Sequence, residues 1–368
     1  SGADSHALYR GRIPAAGFAG YNHLCETSEV AGTSAEDPDA PVPGDSYYYL
    51  ATGLDVDPGS GAIQSGPLGT SSAGDSRSDS GTISCGPRIY VDPDAAGAGD
   101  GLSWADAYTT VSEALAHDRA ADRGLEVWVS GTVTDDPATL ASGTRPGARL
   151  LGGFAGTENS AWERDPDTNA STWGAGGSAV LLDADGVSVV LDGMRLENGG
   201  TGLRASVAGQ RVELADSRFD GFTDRAVDVD ATGGGVLWVS DGRFDAAGQQ
   251  GIRAIVRAGT LSGRIDGSVF DGGSDAAVRL EARASTEDAT HDVAVVANEI
   301  LGGTIGLALG AHGNDSPWLS RLSSLVASNS IHGTSGEAVR IEASGSYASE
   351  AGAATIEAAP LLIGNTLR

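Results

Sequence analysis

From about Leu191 to Leu367 the apolar and polar positions repeat one unit: a leading Phe, Ile or Leu, a short Gly-rich turn, a small residue, then an aliphatic pair around one outward position. The copies are Leu196 with Gly202-Leu203, Phe219 with Ala226-Val227-Asp228-Val229, Phe244 with Gly251-Ile252, Phe270 with Ala277-Val278-Arg279-Leu280, Ile300 with Gly306-Leu307-Ala308-Leu309, and Ile331 with Ala338-Val339-Arg340-Ile341. A seventh opens at Leu367. The step from leading to aliphatic residue is seven or eight each time, while the distance between copies grows from 23 to 36 residues. Stacked coils produce such a pattern, because one turn can bulge without disturbing the strands.

Each copy reads as short strands. Val227-Asp228-Val229-Asp230 and Val278-Arg279-Leu280-Glu281 alternate apolar with charged residues, the period of a half-buried strand. The small residue before the pair (Gly202, Ala226, Gly251, Ala277, Gly306, Ala338) suits a corner where a large side chain would clash. Two residues ahead of the leading positions stand Ser217, Gly242, Ser268, Asn298, Asn329 and Asn365, turn formers that tolerate left-handed geometry. The pattern predicts a mainly β fold, a parallel β-helix in which like residues stack on like. The bias of parallel crossovers makes right-handed winding the expectation.

Ahead of the repeats, strands are predicted at Ala7-Leu8-Tyr9-Arg10 and from Tyr47 to Thr52, then at Ile89-Tyr90-Val91, Leu125 to Val129 and Ala148 to Leu151. Ser103 with Asp106 reads as a capping box, and Trp104, Tyr108, Val111 and Leu115 fall on one face of a helix. A helix there would seal the first coil, whose strand edges and core would otherwise face water. The expected division is a small module over 1–86 and a β-helix over 87–368, with cap and first coils in 87–160 and repeated coils in 178–368.

Two resemblances sharpen this. Leu8-Tyr9-Arg10-Gly11, Cys25, Pro43-Gly44-Asp45-Ser46-Tyr47-Tyr48-Tyr49-Leu50, Gly66-Pro67-Leu68-Gly69-Thr70 and Cys85 resemble the later strands of a fibronectin type III-like module, a partial one, since the first strands should precede Leu8. Such modules occur in large secreted proteins of environmental bacteria. Tyr90-Val91-Asp92, Ser103-Trp104, Ala107-Tyr108, Glu126-Val127-Trp128-Val129 and Gly152-Gly153-Phe154-Ala155-Gly156-Thr157-Glu158 resemble the opening of bacterial secreted right-handed parallel β-helix proteins of the pectin-lyase-like fold. That resemblance implies a fold more than a function, because the family holds polysaccharide lyases, hydrolases, adhesins and proteins of no known activity.

Composition agrees. Of 368 residues 55 are Gly and only 5% are aromatic, which suits many turns and narrow, aliphatic-filled coils. A net charge of -27 opposes binding to nucleic acid or to anionic membrane surfaces. Every basic residue is Arg, and no apolar run is long enough to span a bilayer. No secretion signal opens the chain, so either the protein is not secreted or the signal has been removed. Cys25 and Cys85 are the only cysteines and are too few for a zinc site, leaving two free thiols or one disulfide. A bridge closing that loop would stabilise by roughly 4 kcal/mol, and with a β-helix beside it the disulfide and an oxidising compartment are the expectation.

Candidate chemistry is sparse. The expected outward column is Arg204, Asp228, Arg253, Arg279, Ala308 and Arg340, beside Ser206, Asp230, Ile255, Glu281, Gly310 and Glu342. Its mixed signs suit pairing on a solvated face rather than the carboxylate cluster and base of a lyase. Asp216, Asp220, Asp241 and Asp266 lie near turns without an obvious pair for glycoside hydrolysis. Asp92, Asp94 and Asp100 loosely suggest calcium, but lack the spacing of a true calcium loop. Trp162, Trp173, Trp238 and Trp318 could serve as sugar platforms. No catalytic residue or cofactor is assigned, calcium being possible. The sequence therefore points to a non-catalytic scaffold, extracellular or on a bacterial surface, or to a filament subunit assembled head to tail. The alternative is a carbohydrate-active enzyme or a carbohydrate-binding adhesin. Expected partners are the chain itself and cell-surface polysaccharide.

Overall fold

The computed structural model describes residues 5–13, 24–30, 34, 46–56, 63–65, 88–117, 124–135, 137–142, 147–159, 161–175, 180–245, 248–285, 287–313, 318–345 and 356–367. Near the N-terminus, β1 (Ser5–Ile13), β2 (Leu24–Val30), β3 (Ser46–Val56) and β4 (Ile63–Ser65) form an antiparallel sheet in the order β2-β1-β3-β4. The two strands expected here fall inside β1 and β3, and Ala7 and Tyr9 bury the alternate positions of β1.

From Arg88 onward the strands pair in parallel, and each coil visits three faces in turn. On the first face stand Thr132–Asp135, Ser171–Ala175, the opening halves of Met194–Val207 and Arg218–Ala231, then Arg243–Asp245, Val269–Asp271, Glu299–Leu301, Ser330–His332 and Thr366–Leu367. The second face carries Ala138–Ala141, Val180–Asp185, the closing halves of the two long strands, Gln250–Val256, Ala276–Ala282, Ile305–Gly313 and Glu337–Gly345. A separate sheet from Arg88–Val91 to Leu361–Ile363 makes the third face. Together they nearly close around one apolar core running from Ile89 to Ile331, an arrangement compatible with a β-helix.

Like stacks on like. The leading positions form one buried column, Val133, Trp173, Leu196, Phe219, Phe244, Phe270, Ile300 and Ile331, with Leu367 paired beyond them. Three Phe rings lie nearly parallel within it, with centroids 5.2 and 4.6 Å apart. The aliphatic column Leu203, Val227, Ile252, Val278, Leu307 and Val339 and the two outward columns hold the register expected from the repeat. At the corner between first and second faces, a Cβ on Gly251 would lie 2.8 Å from both the Ala277 carbonyl oxygen and the Phe270 ring. Size, not turn propensity, selects Gly there.

Two expectations need correcting. The left-handed turn residue lies one position earlier than predicted: Asp216, Asp241, Ala297 and Ser328 have φ of 47°, 53°, 57° and 57°. The Asn column after it supplies hydrogen bonds instead. The backbone N–H of Ser268 donates to Asn298 Oδ1 at 2.9 Å, that of Asn298 to Asn329 Oδ1 at 3.0 Å, and that of Asn329 to Asn365 Oδ1 at 3.0 Å. The helix is also shorter. Ser103 and Asp106 do exchange hydrogen bonds, but they close a turn. Helix α1 (Val111–Ala116) starts after Thr110, whose hydroxyl accepts from the Glu113 N–H. It lies against the first strands of all three faces and buries Val111, Ala114 and Leu115 in the core. Trp104 packs elsewhere, with Tyr90, Trp128 and Phe154 on the outer side of the third face.

Candidate functional site

Outward residues follow the register that the core imposes. On the first face, Arg195-Leu196-Glu197, Arg218-Phe219-Asp220 and Arg243-Phe244-Asp245 stack with each apolar residue inside and its charged neighbours outside. Arg195 reaches Glu197 at 2.5 Å and Asp220 at 3.3 Å, Arg218 reaches Asp245 at 2.7 Å, and Arg243 reaches Asp245 at 2.8 Å. Arg195, Arg218, Asp220 and Asp245 each pair across rungs, so this face is a largely self-neutralising zipper. The thrice-repeated Arg-apolar-acid tripeptide could have revealed it in the sequence.

Most of the second face behaves alike. Arg253 grips Asp228 with two nitrogens at 2.7 and 3.0 Å, Arg257 grips Asp230 likewise, and Arg204 pairs with Asp183. The pattern changes at Gly310, which stacks between Glu281 and Glu342 in an otherwise side-chain-bearing column. A Cβ at 310 would collide with the His312 imidazole, so the missing side chain makes room for that ring. Glu281 is 2% exposed and is held by Arg279 at 2.9 Å and Arg283 at 2.6 Å. His312 Nε2 approaches Glu281 Oε1 at 3.8 Å, and on the ring's other side Nδ1 lies 2.7 Å from the Ser344 hydroxyl oxygen. Ser344 is exposed and directly opposite His312 on the next strand. These three residues are 31 and 32 positions apart and come together only through the stacking. Extending the repeat alignment by two positions would have put His312 and Ser344 in one column.

Other residues singled out by sequence are spread more widely. Asp92 accepts the Asp94 N–H at 2.9 Å and Asp100 the Leu102 N–H at 3.0 Å, both local turn roles. Among the described residues no three metal-competent side chains converge, at Asp92, Asp94 and Asp100 or elsewhere. Cys85 and the side chain of Cys25 lie outside the described residues, as does the Trp162 side chain. Trp173 is a core residue with no exposure, and Trp238 is covered by the Arg211 guanidinium at 3.8 Å. Trp318 is 40% exposed. Asp220 joins the zipper and Asp266 pairs with Arg264 at 3.2 Å. Asp216 is distinct: partial burial, then repulsion from Asp192 and Asp167, raises its pKa to about 6.

The last described coil differs from all others. Leu309 is 1% exposed, whereas Ile341 stacked on it is 45% exposed; Val326 is fully buried, whereas Leu362 on it is 42% exposed. Leu361, Ile363 and Leu367 are each more than half exposed. Inward positions of the repeat at Ile341, Leu362 and Leu367 are thus uncovered at this end, beside strands with no further partner among the described residues. No helix of the described residues is long and apolar enough to cross a membrane. Comparisons with protein-family models, with curated proteins and with solved structures find no match, so geometry and sequence together must carry the functional reading.

Proposed function

We propose that the chain is a structural protein, extracellular or on a bacterial surface: a right-handed parallel β-helix, capped by α1, that associates head to tail with further copies. The apolar coil end carries this reading. Among the described residues, Leu362 and Leu367 stack on Val326 and Ile331, which are sealed in the core, yet are themselves 42% and 52% exposed, with Leu361 and Ile363 exposed beside Leu362. An open strand edge with such residues templates pairing with another chain. The occupant proposed is the N-terminal sheet of a second copy, whose outer strands β2 and β4 each have one edge without a partner among the described strands. A contact between two different surfaces need not close, so repetition builds a filament. A Cys25–Cys85 disulfide belongs to the same proposal, as the brace of that N-terminal module in an oxidising compartment. Sedimentation and negative-stain microscopy of the intact protein over a range of concentrations test it. Growth into fibres is expected, with Leu362→Lys combined with Leu367→Lys restoring a monomer. A wild-type chain monomeric at the highest concentration would sink the idea.

A further inference from the structure

We propose that Ser344, His312 and Glu281 form an acyl-transfer site on the second face, with Ser344 as nucleophile, His312 as base and Glu281 as the group that orients it. The inference goes beyond the scaffold reading and does not depend on assembly. The Ser344 hydroxyl lies within hydrogen-bond distance of the imidazole, at 2.7 Å. The Glu281 carboxylate faces the ring's other nitrogen at 3.8 Å, an electrostatic contact and not a hydrogen bond. Glu281 is almost fully buried and braced by two arginines, so it presents a fixed anion to one side of the ring. That anion favours the tautomer with its proton on Nε2, which leaves Nδ1 free to accept the Ser344 proton. Gly310 has a positioning role, since any side chain there would displace the imidazole from Glu281.

The chemistry balances with water as the only other reactant. The Ser344 oxygen bonds to the carbonyl carbon of an ester as its proton passes to His312 Nδ1. The carbonyl oxygen takes the electron pair and returns it as the carbon–oxygen bond to the alcohol breaks. The departing alkoxide takes the proton from His312. Water then repeats the sequence on the acyl-serine and releases the carboxylic acid. Because Ser344 stands exposed on a strand face, the substrate class is a small acyl group, such as acetyl, on an accessible hydroxyl.

The test uses the intact protein with p-nitrophenyl acetate and a fluorophosphonate probe. Labelling of Ser344, located by mass spectrometry of a digest, is expected. Ester hydrolysis should fall at least about 10-fold in Ser344→Ala and in His312→Gln. Gly310→Ala keeps both groups but moves the ring, so it should lower the rate and alter the pH profile. Exposed histidines hydrolyse activated esters unaided, so Ser344→Ala separates the cases. If that variant keeps the wild-type rate, or if Ser344 resists the probe in a folded protein, the site does not exist. Thermal unfolding of each variant checks folding, and Ser344, being exposed, is replaceable without disturbing the core.

Discussion

Phe219, Phe244 and Phe270 stack inside the first face, while Arg218 and Arg243 with Asp220, Asp245 and Asp271 stack outside it on the same three strands. One residue separates the two kinds of column, yet they do different work. Inside, each ring covers the next at 4.6 to 5.2 Å and none is exposed beyond 1%. Slipping a strand by one residue would exchange a Phe for a charge in the core, so the inner column fixes the register. Outside, the charges accept whatever register results and neutralise one another in partial contact with water. The inner columns therefore hold the fold, and the outer ones are free to vary until a gap such as Gly310 gives them chemistry.

Truncating the inner column should cost most. Phe244→Ala removes the middle ring of the stack and leaves a cavity that rigid neighbouring rungs cannot fill, so a loss of about 3–5 kcal/mol is expected in urea unfolding. A loss under about 1 kcal/mol would mean that the column does not set stability. Acid provides the second break, through His291. This residue lies inside the stack between Leu261 and Leu322 with no exposure. Burial, opposed slightly by the backbone of Ala254, lowers its pKa from 6.5 to about 3. Charged groups on the surrounding strands, Arg264 and Asp266, Arg279 and Glu281, and Arg321, stand in the outward columns. With the folded value depressed, stability is complete above pH 6.5 and drains away as the unfolded chain takes the proton first. From pH 7 to pH 4 this amounts to about 3 kcal/mol. His291→Leu should unfold with a flatter pH dependence than wild type over that range; equal slopes would place the histidine outside the core.

What the sequence discloses follows the same division. Inner columns are legible because a buried strand position tolerates few residue types, so Leu196 through Leu367 announce themselves by type and spacing. Val133 and Trp173 belong to the same column but escape notice, since the coils around them are irregular. Outer features are legible only after the register is known. The zipper needs Arg218 laid over Arg243, and the Glu281–His312–Ser344 relay needs three coils aligned. Helix α1 was placed too early because Trp104 and Tyr108 fit helical spacing by coincidence, whereas Thr110 and Glu113 carry the actual start signal.

The zipper should prove a modest contributor. Arg218 is 40% exposed and touches Asp220 and Asp245, so Arg218→Gln should cost about 1 kcal/mol or less, with the difference shrinking in 1 M salt. A cost rivalling that of Phe244→Ala would reverse the ranking of inner and outer columns.

The smallest expected effect is a gain. Asp216 holds a left-handed turn position at φ 47°, a conformation that Asn accepts as readily as Asp. Partial burial, with Asp192, Asp167 and Asp241 opposing its charge and Arg164 only partly offsetting them, raises its pKa from 3.8 to about 6. The folded chain therefore holds this proton more tightly than the unfolded chain. Stability falls as pH rises through roughly 4 to 6, and at neutral pH the full cost of the charge is present. Asp216→Asn removes the charge and keeps the turn. Screening at this partly exposed site limits the benefit to about 0.5 kcal/mol at pH 7, vanishing below pH 4. Because His291 titrates alike in both proteins, the wild-type-minus-variant difference isolates Asp216. A variant less stable than wild type at pH 7 would show that the carboxylate has a favourable partner there, and that this outward position resembles the paired zipper more than the crowded turn.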